Sequence, residues 1–189
     1  MIQGLTSWIG GAAVALVVGG IQPAAAATLD FTGLAGNQGA SLSLSNATIN
    51  AFDGGTVLVG VGAANQADGF CFLSSGCETD GEILFDNPIS NLSFDVDVAS
   101  AGDNVEISAF NGGALLGSLT ATSNGNLDFS GFGTLTRLFF DDSSTASGVG
   151  YSTFEFDDAS ATIPLPASLP LLLGGIGLLG LFRRRGASA

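Results

Sequence analysis

Apolar and polar residues alternate with a period of two through most of the middle of this chain. The clearest run is Leu92-Ser93-Phe94-Asp95-Val96-Asp97-Val98, with Leu, Phe and both Val on one side and the acids on the other. Val105-Glu106-Ile107-Ser108-Ala109-Phe110 repeats the pattern, as do Leu42-Ser43-Leu44 and Phe154-Glu155-Phe156. Further strands are predicted at 56–61, 82–85, 114–121, 126–129 and 135–140, the last closing a segment that opens at Gly131 and reads as the penultimate strand. A final strand is predicted over 151–158. Between these runs stand the turn dipeptides Asp53-Gly54, Asp80-Gly81, Asn111-Gly112 and Asn124-Gly125. The best hairpin joins 105–110 to 114–121 through Asn111-Gly112-Gly113, where glycine supplies the positive φ of a tight reversal. No stretch away from the two ends sustains a helical period. Short strands about eight to twelve residues apart predict an all-β fold, a single β-sandwich or jelly-roll-like domain, with strand order not legible.

The two ends break this pattern with continuous apolar runs. Ile9 to Ile21 has the length of a secretory h-region, and Ala24-Ala25-Ala26-Ala27 offers the small residues of an A-x-A cleavage site. Residues 1–27 are therefore expected to be a signal peptide. A second transmembrane helix fits less well, because the run is short and Pro23 with the alanines follows directly. At the other end, Ile163 to Phe182 is about as long as the roughly 20 helical residues that cross a bilayer. Arg183, Arg184 and Arg185 then stop the run, and their preference for the cytoplasmic side holds everything N-terminal to it outside. Gly174, Gly175, Gly177 and Gly180 suit a helix packed closely against other helices. The expected organisation is a signal helix over 1–27, an exported domain over 28–162, a transmembrane segment over 163–185 and a short tail over 186–189.

Ahead of the apolar run stands Ile163-Pro164-Leu165-Pro166-Ala167, and nothing about bilayer insertion demands P-L-P-A. The order of Pro-containing motif, apolar helix and Arg cluster resembles the sorting signal of the PEP-CTERM family in its VPLPA variant, with Ile163 in place of Val. The resemblance covers only the tail. It implies recognition by an exosortase, an integral-membrane cysteine protease or transpeptidase. Cleavage is then expected near Pro164–Ala167, after an inner-membrane-anchored intermediate, with delivery to the cell surface or the exterior. An ordinary tail anchor is the plainer alternative.

Charge narrows the choice of partners. The formal net charge is −13, yet all 17 acidic residues lie between Asp30 and Asp158 while three of the four basic ones are Arg183–Arg185. The expected exported domain keeps one basic side chain, Arg137, against those 17 acids, a formal −16. Such a surface repels nucleic acid and anionic lipid. It suits a soluble exported protein, an exopolysaccharide matrix or a divalent cation.

Candidate chemistry is sparse. The chain has no histidine, which excludes nucleophile–histidine catalysis. A carboxylate pair drawn from Glu78, Glu82, Glu106 or Glu155 is the remaining route to glycoside hydrolysis, but Glu106 and Glu155 fall on the polar side of their strands. No enzyme is expected. Cys71 and Cys77 are the only cysteines, and in an exported domain their C-x5-C spacing predicts a local disulfide. The domain has no Trp and one Tyr, Tyr151, which is poor equipment for sugar stacking. Calcium is the one ligand that the acids invite, through Asp30 near the first strand, Asp141-Asp142, and Asp157 and Asp158 at the last, since first and last strands of a jelly roll often lie side by side and bring Asp30 near Asp157 and Asp158. The bland alternative is that these acids solvate strand ends. Two functions remain: a surface or matrix protein, and a glycan- or calcium-binding module.

Overall fold

The computed structural model describes residues 25–60, 69–144 and 147–158. Within them lie twelve strands and one short 3₁₀ turn. The strands are β1 (Ala25–Thr28), β2 (Gly36–Asn37), β3 (Ser41–Ser43), β4 (Ala47–Ala51), β5 (Thr56–Val59) and β6 (Gly69–Leu73). They continue as β7 (Gly81–Val98), β8 (Val105–Asn111), β9 (Ala114–Ala121), β10 (Gly125–Asp128), β11 (Leu135–Asp142) and β12 (Val149–Asp158), with the 3₁₀ turn at Ser130–Phe132. The domain is all-β, as the alternation predicts. The expected signal and sorting helices lie outside the described residues.

β7 organises the sheet. Its first half pairs with β4 on one side and β11 on the other; its second half pairs with β12 and β10. The exposed Asp86-Asn87-Pro88 lies between the two halves, where proline costs no needed ladder bond. One portion of the sheet therefore runs β3-β4-β7-β11-β8-β9, and the other runs β2-β5-β6-β12-β7-β10 with β1 added beside the end of β12. The portions close over each other: Phe140 of β11 packs 4.6 Å from Tyr151 of β12 and 5.4 Å from Phe72 of β6, ring centre to ring centre. The arrangement is sandwich-like.

Two compensating bulges keep the apolar residues inside. β7 buries Ile83, Phe85 and Ile89 at odd positions, then Leu92, Phe94 and Val96 at even ones. The parity changes around Asn91, whose φ is 51°. β12 buries Tyr151, then Phe154 and Phe156, and changes parity at Thr153, φ 54°. Each strand carries one extra residue, so register between them shifts at Glu155↔Ser93 and is restored at Asp157↔Ser90. Positive φ on β-branched Thr153 is strained and persists only because both flanking ladders hold it.

The core between the portions is aromatic. Phe94 stacks on Phe154 at 4.5 Å and on Phe129 at 5.6 Å, and Tyr151 touches the rings of Phe70, Phe72, Phe94 and Phe140. Such pairs add about 0.5–1.5 kcal/mol each beyond area burial. Gly81 lies directly under Phe72, whose ring would be 2.1 Å from a Cβ placed there. Asp80-Gly81 does separate β6 from β7, but Gly81 is already paired in β7, and its missing side chain serves packing rather than a turn.

Most predicted strands are present, with differences that have causes. The 82–85 and 92–98 runs are one long strand, because β7 continues through its exposed bend. Of the 131–140 segment, Ser130–Phe132 is the 3₁₀ turn, with Phe132 laid over Gly117, and strand begins only at Leu135. The predicted hairpin is β8–β9, paired Asn111↔Ala114 across Gly112-Gly113. Asp53-Gly54 both have positive φ, 53° and 76°, and the Gly55 amide donates to the Phe52 carbonyl at 2.8 Å. That is a type I′ turn. β1, β2 and β6 carry no clear alternation, and the alternation of β4, Ala47-Thr48-Ile49-Asn50-Ala51, is short.

Replacing Phe94 by Ala should cost about 3–5 kcal/mol, because the side chain is completely buried and packs on the rings of Phe129, Phe140, Tyr151 and Phe154. Phe52→Ala, on the half-buried outer side, should cost less than half as much. Urea midpoints of the two variants check the order.

Candidate functional site

Three places in the domain gather polar side chains, and only some of the sequence-predicted residues fall in them. Cys71 and Cys77 are joined as a disulfide, with Cα atoms 5.4 Å apart. Cys71 is in β6; the buried Cys77 lies in the following loop and bridges to Gly148, and its carbonyl accepts from the Val149 amide at 2.9 Å. Gly148 has φ 84° and approaches so closely that a Cβ would lie 1.6 Å from the Cys77 oxygen. The disulfide thus pins β6 beside the start of β12. Ile163, Pro164, Leu165, Pro166 and Ala167, and Arg183, Arg184 and Arg185, lie outside the described residues. Among the described residues, no helix is long and apolar enough to cross a membrane.

First and last strands do pair, but their register separates the acids proposed for calcium. β1 runs antiparallel to β12 with Ala25↔Asp158, Ala26↔Asp157 and Thr28↔Glu155. Asp30 follows the far end of β1, whereas Asp157 and Asp158 face its beginning. The Asp30 carboxylate instead accepts from the Thr32 amide at 2.8 Å, and hydrogen bonds from Thr32 hold its pKa below the ordinary value. Asp157 accepts from Asn91 Nδ2 at 2.7 Å, and Asp158 from Asn87 Nδ2 at 3.5 Å. Among the described residues, no group of three or more His, Cys, Asp or Glu is placed to hold a metal ion. A groove of about 450 Å³ follows the β1–β12 seam past Asn91, Ser93, Glu155 and Asp157.

The second place is the outer face of the β3-β4-β7-β11-β8-β9 portion. One row crosses all six strands as Ser41, Asn50, Glu82, Phe139, Ser108 and Ser118. The next row is Ser43, Thr48, Leu84, Arg137, Phe110 and Leu115. Polar members form a relay: Ser41 Oγ donates to Asn50 at 2.8 Å, and Asn50 Nδ2 donates to Glu82 at 3.1 Å. Arg137 approaches Glu82 to 3.8 Å and lays its guanidinium 4.1 Å over the Phe110 ring. A half-exposed ion pair at that distance contributes little, and the cation–π contact about 0.5–1 kcal/mol. Phe52 lies 6.0 Å from Phe139 of the first row, and among the described residues Leu84 and Leu115 are the exposed large apolar side chains. This face was missed in sequence because it exists only once six strands are in register.

Glu106 and Glu155 are exposed on different portions of the sheet, and Glu78 bonds to Ser75. Glu82 belongs to the relay.

The third place is the end of the sandwich where β11 stops and β12 starts. The Asp142 amide donates to Asp80 Oδ1 at 2.9 Å, and the Ser144 amide donates to Asp142 Oδ1 at 2.8 Å. Asp103, almost fully buried, accepts from the amides of Ser147 and Gly148 at 3.2 and 3.0 Å. Burial pushes the Asp142 carboxyl up to about 6; hydrogen bonds from Ser144 oppose the shift, and Asp103 and Asp80 add to it. Burial raises Asp80 as well.

No protein-family profile, curated protein or solved structure matches the chain.

Gly148→Ala should destabilise the domain by about 3 kcal/mol, since the new methyl meets backbone and the residue must hold positive φ. Opening the disulfide by changing both Cys71 and Cys77 to Ser should cost no more than about 2–3 kcal/mol, because so short a loop restricts the unfolded chain little. Denaturant unfolding compares them. A harmless Gly148→Ala would mean that the Cys77–Gly148 approach is not a structural requirement.

Proposed function

We propose that the chain is an exported, non-enzymatic protein of the cell surface or exopolysaccharide matrix, processed at both ends and sorted by an exosortase-like membrane protease. The observation that carries this reading is the fixed order of Ile163-Pro164-Leu165-Pro166-Ala167, an uncharged apolar run and Arg183–Arg185. Every described residue of β12, Val149–Asp158, lies upstream of the motif, so a cut near Pro164–Ala167 spares them all. Strong negative charge on the domain fits solubility outside the cell and argues against nucleic acid as partner. The expected leader boundary after Ala27 crosses β1, so the position of that cut decides how much of β1 remains beside β12.

Intact-mass analysis of exported protein tests the reading. The expected species begins between Ala24 and Thr28 and ends near Pro164–Ala167. Surface material that retains Arg183–Arg185 would overturn sorting and leave a tail anchor.

A second reading, a glycan-binding module, is favoured by the outer face around Phe139 and Arg137. Aromatic rings beside a hydrogen-bonded relay of amide, carboxylate and guanidinium groups match the apolar faces and hydroxyl edges of a sugar chain. Affinity electrophoresis in gels containing the producer's own polysaccharide tests it. Retardation that disappears in Phe139→Ala, with the melting temperature within a few degrees of wild type, supports the module. Unchanged mobility of the wild type in that gel rejects it.

A further inference from the structure

The seat that β1 occupies is built by β12. Along one side β12 pairs with β7; along the other, β6 covers Tyr151 and Ser152, and β1 covers Glu155 to Asp158. Ala27 of β1 lies opposite the buried Phe156 and packs against the core, while Ala26 and Thr28 are exposed. The seat therefore takes an extended strand with a small inward residue opposite Phe156. A leader cut after Ala27 belongs to the export reading, on which this inference rests. It removes Ala25, Ala26 and Ala27 and leaves Thr28 in place opposite Glu155. Phe156, Asp157 and Asp158 then form an open sheet edge, whose backbone donors and acceptors suit a further strand.

The chain carries a near-repeat of the segment that the cut removes. Ala159-Ser160-Ala161-Thr162 follows β12 directly, lies outside the described residues, and repeats Ala25-Ala26-Ala27-Thr28 with a single change, Ser160 for the exposed Ala26. A cut near Pro164–Ala167 leaves it attached to the domain. We infer that in the mature protein Ala159, Ser160 and Ala161 of each copy fill the β1 seat of a second copy, so that two domains join edge to edge through β12. Ala159 then opposes Asp158 of the second copy, Ser160 its Asp157 and Ala161 its Phe156. That is the register in which β1 places Ala25, Ala26 and Ala27.

This register is its own inverse. When Ala159 of one copy opposes Asp158 of the other, Asp158 of the first opposes Ala159 of the second. A two-fold axis relates the copies, and the assembly closes as a dimer. Across the new ladder Asp157 and Asp158 directly oppose small uncharged residues, and both already accept hydrogen bonds from Asn91 and Asn87 of β7. The segment fits its own domain badly. Ala159-Ser160 would have to make the reversal without the Gly, Asn or Asp that tight hairpins use, and Pro164 would arrive opposite Glu155 with no amide hydrogen.

Intact mass and sedimentation velocity of the exported protein, made from the full chain, test the pairing together. Protein that begins at Thr28 and retains Ala159–Thr162 should be a dimer with a dissociation constant of roughly 1–100 µM, since so few residues pair. Ala161→Glu puts a charge opposite Phe156, where the Ala27 methyl packs, and should raise that constant by about tenfold or more. Ser160→Ala restores the leader sequence and should leave it within about twofold. Both variants should melt with wild type when diluted to monomer. Hydrogen exchange needs no variant: the amides of Ser160 and Ala161 should be about tenfold better protected in concentrated than in dilute protein. A Thr28 start with monomer at every concentration, an Ala161→Glu variant as tightly dimeric as wild type, or unchanged amide protection would each overturn the inference and leave the export reading standing. A start upstream of Thr28 would overturn it too, by keeping Ala27 in its own seat. An uncut leader with Arg183–Arg185 retained would overturn both.

Discussion

The domain depends on β7 keeping one face apolar and inward while it changes neighbours on both sides. A strand paired in register cannot gain a residue without turning every later side chain to the opposite face. β7 gains one at Asn91, and β12 gains one at Thr153, so both strands turn together and the ladder closes again at Asp157↔Ser90. Had only one strand bulged, Leu92, Phe94 and Val96 or else Phe154 and Phe156 would face water. The aromatic core between the sheet portions is assembled from the residues on either side of these two bulges. Local strain at Thr153 is therefore the condition for burying the rings of Phe94 and Phe154 against each other.

How much of this was legible follows from what each segment faces. Leu92 to Val98 and Val105 to Phe110 have one buried and one wet side, so their alternation announces them. The β8–β9 reversal has Gly112-Gly113 to mark it. β6, Gly-Phe-Cys-Phe-Leu, is enclosed on nearly every side and shows no alternation. β1 hides inside a run of alanines that also satisfies the grammar of a leader. Of the two bulges only that at Asn91 leaves a trace in residue choice, since Asn tolerates positive φ, whereas Thr153 is a β-branched residue in a conformation that such residues avoid. Adjacency of first and last strands could be anticipated; register could not, and register is what parts Asp30 from Asp157. Asp141-Asp142 stands out in the sequence, but its neighbourhood with Asp80 and Asp103 does not, because these come from two connections and a strand end far apart in sequence.

The two outer faces differ in character, and the difference is set by register rather than composition. Along the β12–β7–β10 side, outward positions are Glu155, Asp157, Ser93, Asp95 and Asp128, an acidic and polar surface. On the β7–β11–β8 side, the same alternation turns Phe139, Phe110 and Leu84 outward beside Arg137. The one basic side chain among the described residues lies over an aromatic ring, where its charge is partly satisfied by the π face while Nη1 approaches Glu82.

The pairing of β1 with the end of β12 also has a mechanical meaning. Ala25 and Asp158 are directly opposed, so a chain held at both of these points would load the ladder from one end. Tension would then open its hydrogen bonds in succession, as a zip opens, rather than straining them all at once in shear. A domain carried by one terminus feels no such load, and that seam stays closed. Held by both termini, the same domain would begin to open at Ala25.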